Sequence, residues 1–284
     1  MKVHVLHTGD VHASPYLPFG GNHCSILKAS GLTSPKSRWM WLPVYSYLIE
    51  HPRGYILFDT GCHRDISPHG VYDKHAQIRS LGFRLLSCIN QARLAAGEAV
   101  DEQLLSLGIK TQDLDYVLLS HLDCDHANGL KLVADAKHIL VSDAEKQGTR
   151  HGGLTSCIRF CKRWWEDTKI RTFQWNIAEG PFKHGFDLYG DGSVMLIHLP
   201  GHSEGLCALK LTAADGRYIL LYADGGYVTK SWQEMITSGF ALNTQQQRTS
   251  LARIHEQSLD SRSVESLATH DSQVKPHTII LYKP

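Results

Sequence analysis

His121-Leu122-Asp123-Cys124-Asp125-His126 sets four side chains of metal-ligand type within six residues, directly after the apolar run 114–120 (LDYVLLS). A run of that length between polar segments reads as a buried strand, so the cluster falls where a strand gives way to a loop. Imidazole and carboxylate together suit zinc, iron or manganese. Taken alone, the six residues read equally well as a polar loop whose side chains cap the next helix.

Working outward, the same strand-to-polar transition recurs. Residues 44–49 and 55–58 are β-rich and separated by His51-Pro52-Arg53-Gly54, a turn composition that predicts a hairpin delivering Asp59-Thr60-Gly61 to a strand end. Residues 136–142 read as another strand. Those at 193–199 and 217–223 run into Pro200-Gly201-His202-Ser203-Glu204-Gly205 and Ala223-Asp224-Gly225-Gly226, and residues 263–268 lead to Thr269-His270-Asp271 before a last strand at 278–282. Apolar residues at helical spacing over 77–107 predict two helices, or one interrupted near Gly97, and residues 243–259 a surface helix. Interleaved strands and helices give an α/β (α+β) class with layered sheets. No repeat or low-complexity linker divides the chain, so one domain over residues 1–284 is the economical reading.

Charge bounds the partners. With 29 Lys+Arg against 28 Asp+Glu in 284 residues, nucleic acid is not an expected partner. His4, His7 and Asp10 interrupt the N-terminus where a signal peptide needs an apolar stretch, and no apolar run is long enough to span a bilayer; a soluble, cytoplasmic protein is expected. Seven cysteines, odd in number and scattered, suit reduced thiols, and Cys157 with Cys161 lack a second pair to complete a zinc knuckle.

The ordered set of Asp59, His121 to His126, His202, Asp224 and His270 resembles the metallo-β-lactamase superfamily, within it the N-acyl homoserine lactonases. Leu42-Pro43-Val44 ahead of the hairpin, and Tyr227 three residues after Asp224, carry the narrower likeness. The resemblance implies a four-layer αββα sandwich of two mixed sheets, with two divalent ions, zinc foremost, at one edge. His121, Asp123 and His202 would hold the first ion and Asp125, His126 and His270 the second, with Asp224 bridging and Asp59 supporting the ligand loops. Catalytic roles would fall to Asp125 and Tyr227: the metal would activate water for attack on the carbonyl of a small lactone, Tyr227 would support the developing charge, and the second metal or Asp125 would assist the leaving oxygen. Quorum quenching, a small-molecule substrate, no membrane partner and an open oligomeric state, with a homodimer among the options, complete the expectation.

One position departs. The family's second histidine is Asp123 here, which shortens the ligand's reach and lowers the net charge of the site, favouring manganese or iron. Three readings stay open: a dinuclear site of altered preference, a mononuclear site on the Asp125, His126 and His270 side, or a metal-poor binding protein. Hydrolysis of another ester, a thioester or a phosphodiester is the alternative within enzymes. Export-dependent antibiotic hydrolysis and the extended nuclease branches fit the chain less well. The aromatic and basic stretch 158–165, with Phe173 and Trp175, reads either as a wall of the substrate pocket or as a helix packing its tryptophans into the core; Cys124 reads as a packing or substrate-contact residue rather than a zinc ligand.

Overall fold

The computed structural model describes residues 1–21, 24–82, 88–89, 91–151 and 159–281. Two sheets dominate. The first runs in the order β13 (Thr278–Ile280), β1 (Lys2–Ala13), β2 (Met40–His51), β3 (Gly54–Phe58), β5 (Leu114–Leu118), β6 (His138–Ser142), β7 (Ile170–Phe173), with β4 (Gln91–Arg93) also paired to β1. The second has the order β12 (Ser263–Ala268), β11 (Tyr218–Ala223), β10 (Cys207–Thr212), β9 (Val194–His198), β8 (Gly185–Asp187). Both are mixed: β3, β5, β6 and β7 pair in parallel in the first, and β11 with β12 in the second, while the remaining pairs are antiparallel.

Side chains alternate across each strand with a period of two, and in the central strands both faces are apolar because both are covered. Along β2, Tyr45, Tyr47 and Ile49 enter a core shared with Leu196, Leu209, Ile219 and Leu221 of the second sheet. Leu42, Val44 and Leu48 point the other way, against Leu81 and Leu104 of the helices Lys74–Leu81 and Val100–Ser106. In β11, Ile219 and Leu221 face inward, while Tyr218, Leu220 and Tyr222 meet Leu251 and Ile254 of the helix Thr244–Ser258. The order helix, sheet, sheet, helix is the four-layer αββα sandwich.

The hairpin forms with His51 opposite Gly54. Of the two readings for residues 77–107, two separate helices hold, with β4 between them; residues 83–87 and 90 lie outside the described set. The helix Thr244–Ser258 is the outer layer of the second sheet rather than a surface appendage, and Asn243 caps it by accepting from Gln246 N–H. The last strand closes at Ile280, two residues short of the expected end, with Tyr282 outside the described residues. Sequence reasoning missed β1, whose alternating apolar residues are interrupted by His4, His7, Thr8 and Asp10.

That strand carries a buried-edge charge cluster. His7 Nδ1 lies 2.9 Å from Glu98 Oε1 and Nε2 3.2 Å from Asp10 Oδ1, while Arg93 donates to Asp10 at 2.9 Å. Partial burial disfavours the imidazolium, but the two carboxylates outweigh it and raise His7 to about 9. Because the folded value lies above the unfolded one of about 6.5, the stabilisation is complete below pH 6.5 and is lost as pH rises through 9. Allowing for solvent screening, wild type should lose about 1–2 kcal/mol across that window. Urea titrations at several pH values should show the loss in wild type and a flat profile in His7→Gln; equal slopes would show that the cluster does not hold the proton.

Candidate metal centre

Strand ends bring the polar motifs together at one edge of the two sheets. Asp59 follows β3, the segment from Ser120 to His126 follows β5, His202 follows β9, Asp224 follows β11 and His270 follows β12. Two of these ends hold non-glycine residues in the left-handed region, Asp59 at φ 60° and Ala223 at φ 45°. Strained backbone of this kind persists where the surrounding contacts enforce it, and functional sites are where it clusters.

All seven expected donors converge. His121, Asp123 and His202 form one set whose ligating atoms lie within 4.8 Å of one another; Asp125, His126 and His270 form a second; His121, His126 and Asp224 form a third that joins them. Asp224 is central: Oδ1 lies 3.4 Å from His126 Nε2 and 3.2 Å from His270 Nε2, and Oδ2 lies 3.5 Å from His202 Nε2. Asp125 Oδ2 is 3.3 Å from His270 Nε2.

Three histidines are oriented from behind. His126 Nδ1 donates to Asp59 Oδ2 at 2.8 Å and His270 Nδ1 to the Pro43 carbonyl at 2.8 Å. Ser120 Oγ donates to Asp59 Oδ2 at 2.7 Å and so accepts from His121 Nδ1 at 2.9 Å. Each Nδ1 therefore carries the proton, and each Nε2 turns its lone pair inward, as a metal-ligating histidine requires. The Nε2 atoms of His121, His126 and His270, with Asp224 Oδ1, are buried and make no hydrogen bond among the described residues. Unpartnered buried polar atoms are rare and call for an explanation, and a divalent cation supplies one for all four.

The electrostatics agree with a site built for positive charge. Burial opposes ionisation of Asp224, yet His270 and His126 hold its carboxyl well below the usual carboxylate range. Burial likewise works against the imidazolium of His126, but Asp224 and Asp59 push it well above the ordinary histidine value. Without a metal, the site would draw protons in its place. Tyr227 lies at the wall, its ring stacked on His270 at 5.1 Å and edge-on to His202 at 5.5 Å. Burial and the charges of Asp224, Asp123 and Asp125 raise its phenol well above 10, so it stays a proton donor at neutral pH.

Two contributors escaped sequence reasoning. Glu145, fully buried in the first turn of the helix Asp143–His151, accepts from Leu122 N–H at 3.1 Å, Ser203 Oγ–H at 2.7 Å and Gly205 N–H at 3.0 Å. It ties the loop of His121 to the loop of His202. Gly205 is required at this junction, since a Cβ there would lie 2.0 Å from Glu145 N. Arg159 is the other: its Nε and Nη2 grip both oxygens of Asp123, the second at 2.7 Å, and its Nη1 donates to the His202 carbonyl at 2.8 Å. The aromatic residues around it turn inward. Phe160, Trp164 and Trp165 belong to the core beneath the first sheet, and Lys162–Trp164 is a 3₁₀ turn rather than an amphipathic helix. Phe173 packs between the sheets with Trp175 against it. Cys124 is buried in the first core as well. Residues 152–158, including Cys157 and Ile158, lie outside the described set.

The family model described as the metallo-β-lactamase superfamily matches residues 39–221. The chain belongs to the metallo-β-lactamase superfamily. Its likeness runs to lactonase-like metallo-hydrolases. The N-acyl homoserine lactonase AttM of Rhizobium radiobacter is 26% identical over 214 residues, covering 72% of each chain. A probable metallo-hydrolase of Mycobacterium tuberculosis is 27% identical over 268 residues, covering 88% of this chain and 75% of its own. Among solved structures, an N-acyl homoserine lactone hydrolase with N-hexanoyl-L-homoserine at its catalytic metal centre superposes with a TM-score of 0.71 at 19% identity, over 96% of this chain and 94% of that one. Superfamily membership together with the donor clusters makes this chain a metal-dependent hydrolase, with the adjoining His/Asp sets of a two-metal type of site. No helix among the described residues is long and apolar enough to cross a membrane.

Proposed function

We propose that this metallo-β-lactamase superfamily member opens lactone rings, with N-acyl homoserine lactones as the substrate class. The observation that carries the reading is Tyr227, a protonated phenol stacked beside His270 and next to His202, where it can face a substrate carbonyl at the metal donors. Relatives named as N-acyl homoserine lactonases support the substrate class.

Asp125, His126 and His270 would hold one ion, with Asp224 between them and the neighbouring set of His121, Asp123 and His202. Zinc suits this mixture of imidazole and carboxylate, and its carboxylate share also admits manganese or iron. When bound, the ion supplies Lewis-acid polarisation of the ester carbonyl and lowers the pKa of water for attack. The protein's own groups do the rest. Tyr227 donates a hydrogen bond to the carbonyl oxygen as negative charge develops there. Asp125 keeps an exposed edge, its side chain 12% accessible where Asp224 is 2%, and would take the proton given up by the attacking water and pass it to the departing ring oxygen. The histidines, anchored through Asp59, Ser120 and Pro43, hold the geometry without reorganisation.

Proton release on ring opening tests the proposal. Metal-free protein reloaded separately with zinc, manganese, iron and cobalt should open short- and long-chain acyl homoserine lactones. Tyr227→Phe should lower kcat about a hundredfold with metal content unchanged. Silence toward every lactone with every ion would overturn the substrate class, and full activity in Tyr227→Phe would remove the phenol from the mechanism.

A further inference from the structure

Asp123 stands where the resemblance leads one to expect a histidine, and its carboxylate is already paired. Arg159 reaches both of its oxygens through Nε and Nη2, and the same Nη2 lies 2.6 Å from His202 Nε2. The guanidinium is buried, and a further bond from Nη1 to the His202 carbonyl fixes its plane. Two of the three donors in the set His121, Asp123 and His202 are thus engaged by a cation belonging to the chain.

We propose that Arg159 is the resident cation of this first half-site, so that the folded protein holds one divalent ion firmly, in the half formed by Asp125, His126, His270 and Asp224, and admits a second only when Arg159 is removed. The inference rests on the metal-site reading above and concerns only how many ions it loads. An imidazole nitrogen carries either one proton or one in-plane lone pair, so His202 Nε2, whether it accepts from Arg159 at 2.6 Å or donates to Asp123 Oδ2 at 2.9 Å, cannot ligate an ion at the same time. Guanidinium does not deprotonate in proteins, so the competing charge is permanent. Like charge adds to the exclusion, because an ion on Asp123 and His202 would sit against the guanidinium.

The two halves also differ in what they leave unpaired. Among the described residues, His126 Nε2, His270 Nε2 and Asp224 Oδ1 make no hydrogen bond on the second side, whereas on the first His121 Nε2 alone of the two inward-facing nitrogens lacks one, since His202 Nε2 is met by Arg159 and Asp123. The exchange of histidine for Asp123 thereby gains a physical sense: a carboxylate is the acceptor that matches the planar fork of arginine with two parallel bonds, which an imidazole cannot do. Charge is conserved locally, one guanidinium against one carboxylate. The reacting centre keeps a fixed positive group beside its single ion.

The test is zinc content per chain. Wild type, Arg159→Met and Arg159→Gln are stripped, reloaded with excess zinc, desalted and analysed by atomic emission, with circular dichroism to confirm folding. Wild type should retain one zinc per chain and both variants two, with cobalt-loaded variants showing a second ligand-field band set; Arg159→Gln carries the test where Arg159→Met does not fold. Two zinc ions in wild type, or one in wild type and in the folded variants alike, would overturn the role of Arg159 and leave the metallo-hydrolase reading standing. No zinc in any of the three would instead overturn the metal-site reading itself, and the role of Arg159 with it.

Discussion

Asp224→Ala is expected to abolish metal-dependent turnover, lowering kcat/KM by at least about a thousandfold, the scale of losing a principal electrostatic element of a transition-state site. Asp224 is the one carboxylate within 3.5 Å of His126, His202 and His270. Its removal leaves buried imidazoles facing one another with no central anion, so an ion loses both a ligand and the charge that compensates it. Metal content after desalting should fall together with activity. The substitution also leaves the buried His126 and His270 without the carboxylate they pair with in the metal-free state, so the metal-free variant should unfold earlier than metal-free wild type. Activity lost while metal is fully retained would make Asp224 a catalytic group and not a ligand.

The second large effect is on the scaffold. Glu145→Ala should destabilise the fold by about 3–5 kcal/mol, because one truncation leaves the Leu122 and Gly205 amides and the Ser203 hydroxyl without their acceptor in a sealed interior. The Leu122 amide belongs to the loop that continues to Asp125 and His126, so zinc affinity should drop about 10- to 100-fold as well, the usual cost of losing an orienting partner. Glu145→Gln keeps one acceptor oxygen and should lose less of both. Thermal unfolding and competition with a chelator measure the two effects separately. A thermal midpoint unchanged to within about a degree in Glu145→Ala would show that the clamp contributes nothing.

How far such a site can be read from sequence depends on whether its residues advertise themselves locally. The run 114–120 before His121, the hairpin before Asp59 and the apolar strands before His202 and Asp224 all signal their positions by hydrophobic pattern, and the structure places their ends at one edge. The strand β1 does not, because His4, His7 and Asp10 break its alternation; those groups are held by Glu50, Glu98 and Arg93, partners distant in the chain. Glu145 and Arg159 were hidden for the same reason. Glu145 looks like an ordinary acidic residue in the first turn of a helix, and only the meeting of two loops turns it into a buried clamp. Arg159 lies in a stretch whose aromatics read either as a substrate wall or as core packing; the rings fill the core, and the guanidinium turns to Asp123. The departure at Asp123 is plain in the sequence; its partner Arg159 lies thirty-six residues away.

Ring opening in ¹⁸O-labelled water, followed by mass spectrometry of the product, tests most directly the proposal that this metal-dependent hydrolase opens lactones. With zinc-reloaded protein and N-hexanoyl homoserine lactone, one ¹⁸O atom should appear in the carboxylate of the open product and none in its hydroxyl, and the reaction should vanish in metal-free protein and in Asp224→Ala. Label in the hydroxyl would contradict attack of water at the carbonyl. Opening that proceeds equally well without metal, or fails with every ion supplied, would contradict the assignment of this cluster as the reacting centre.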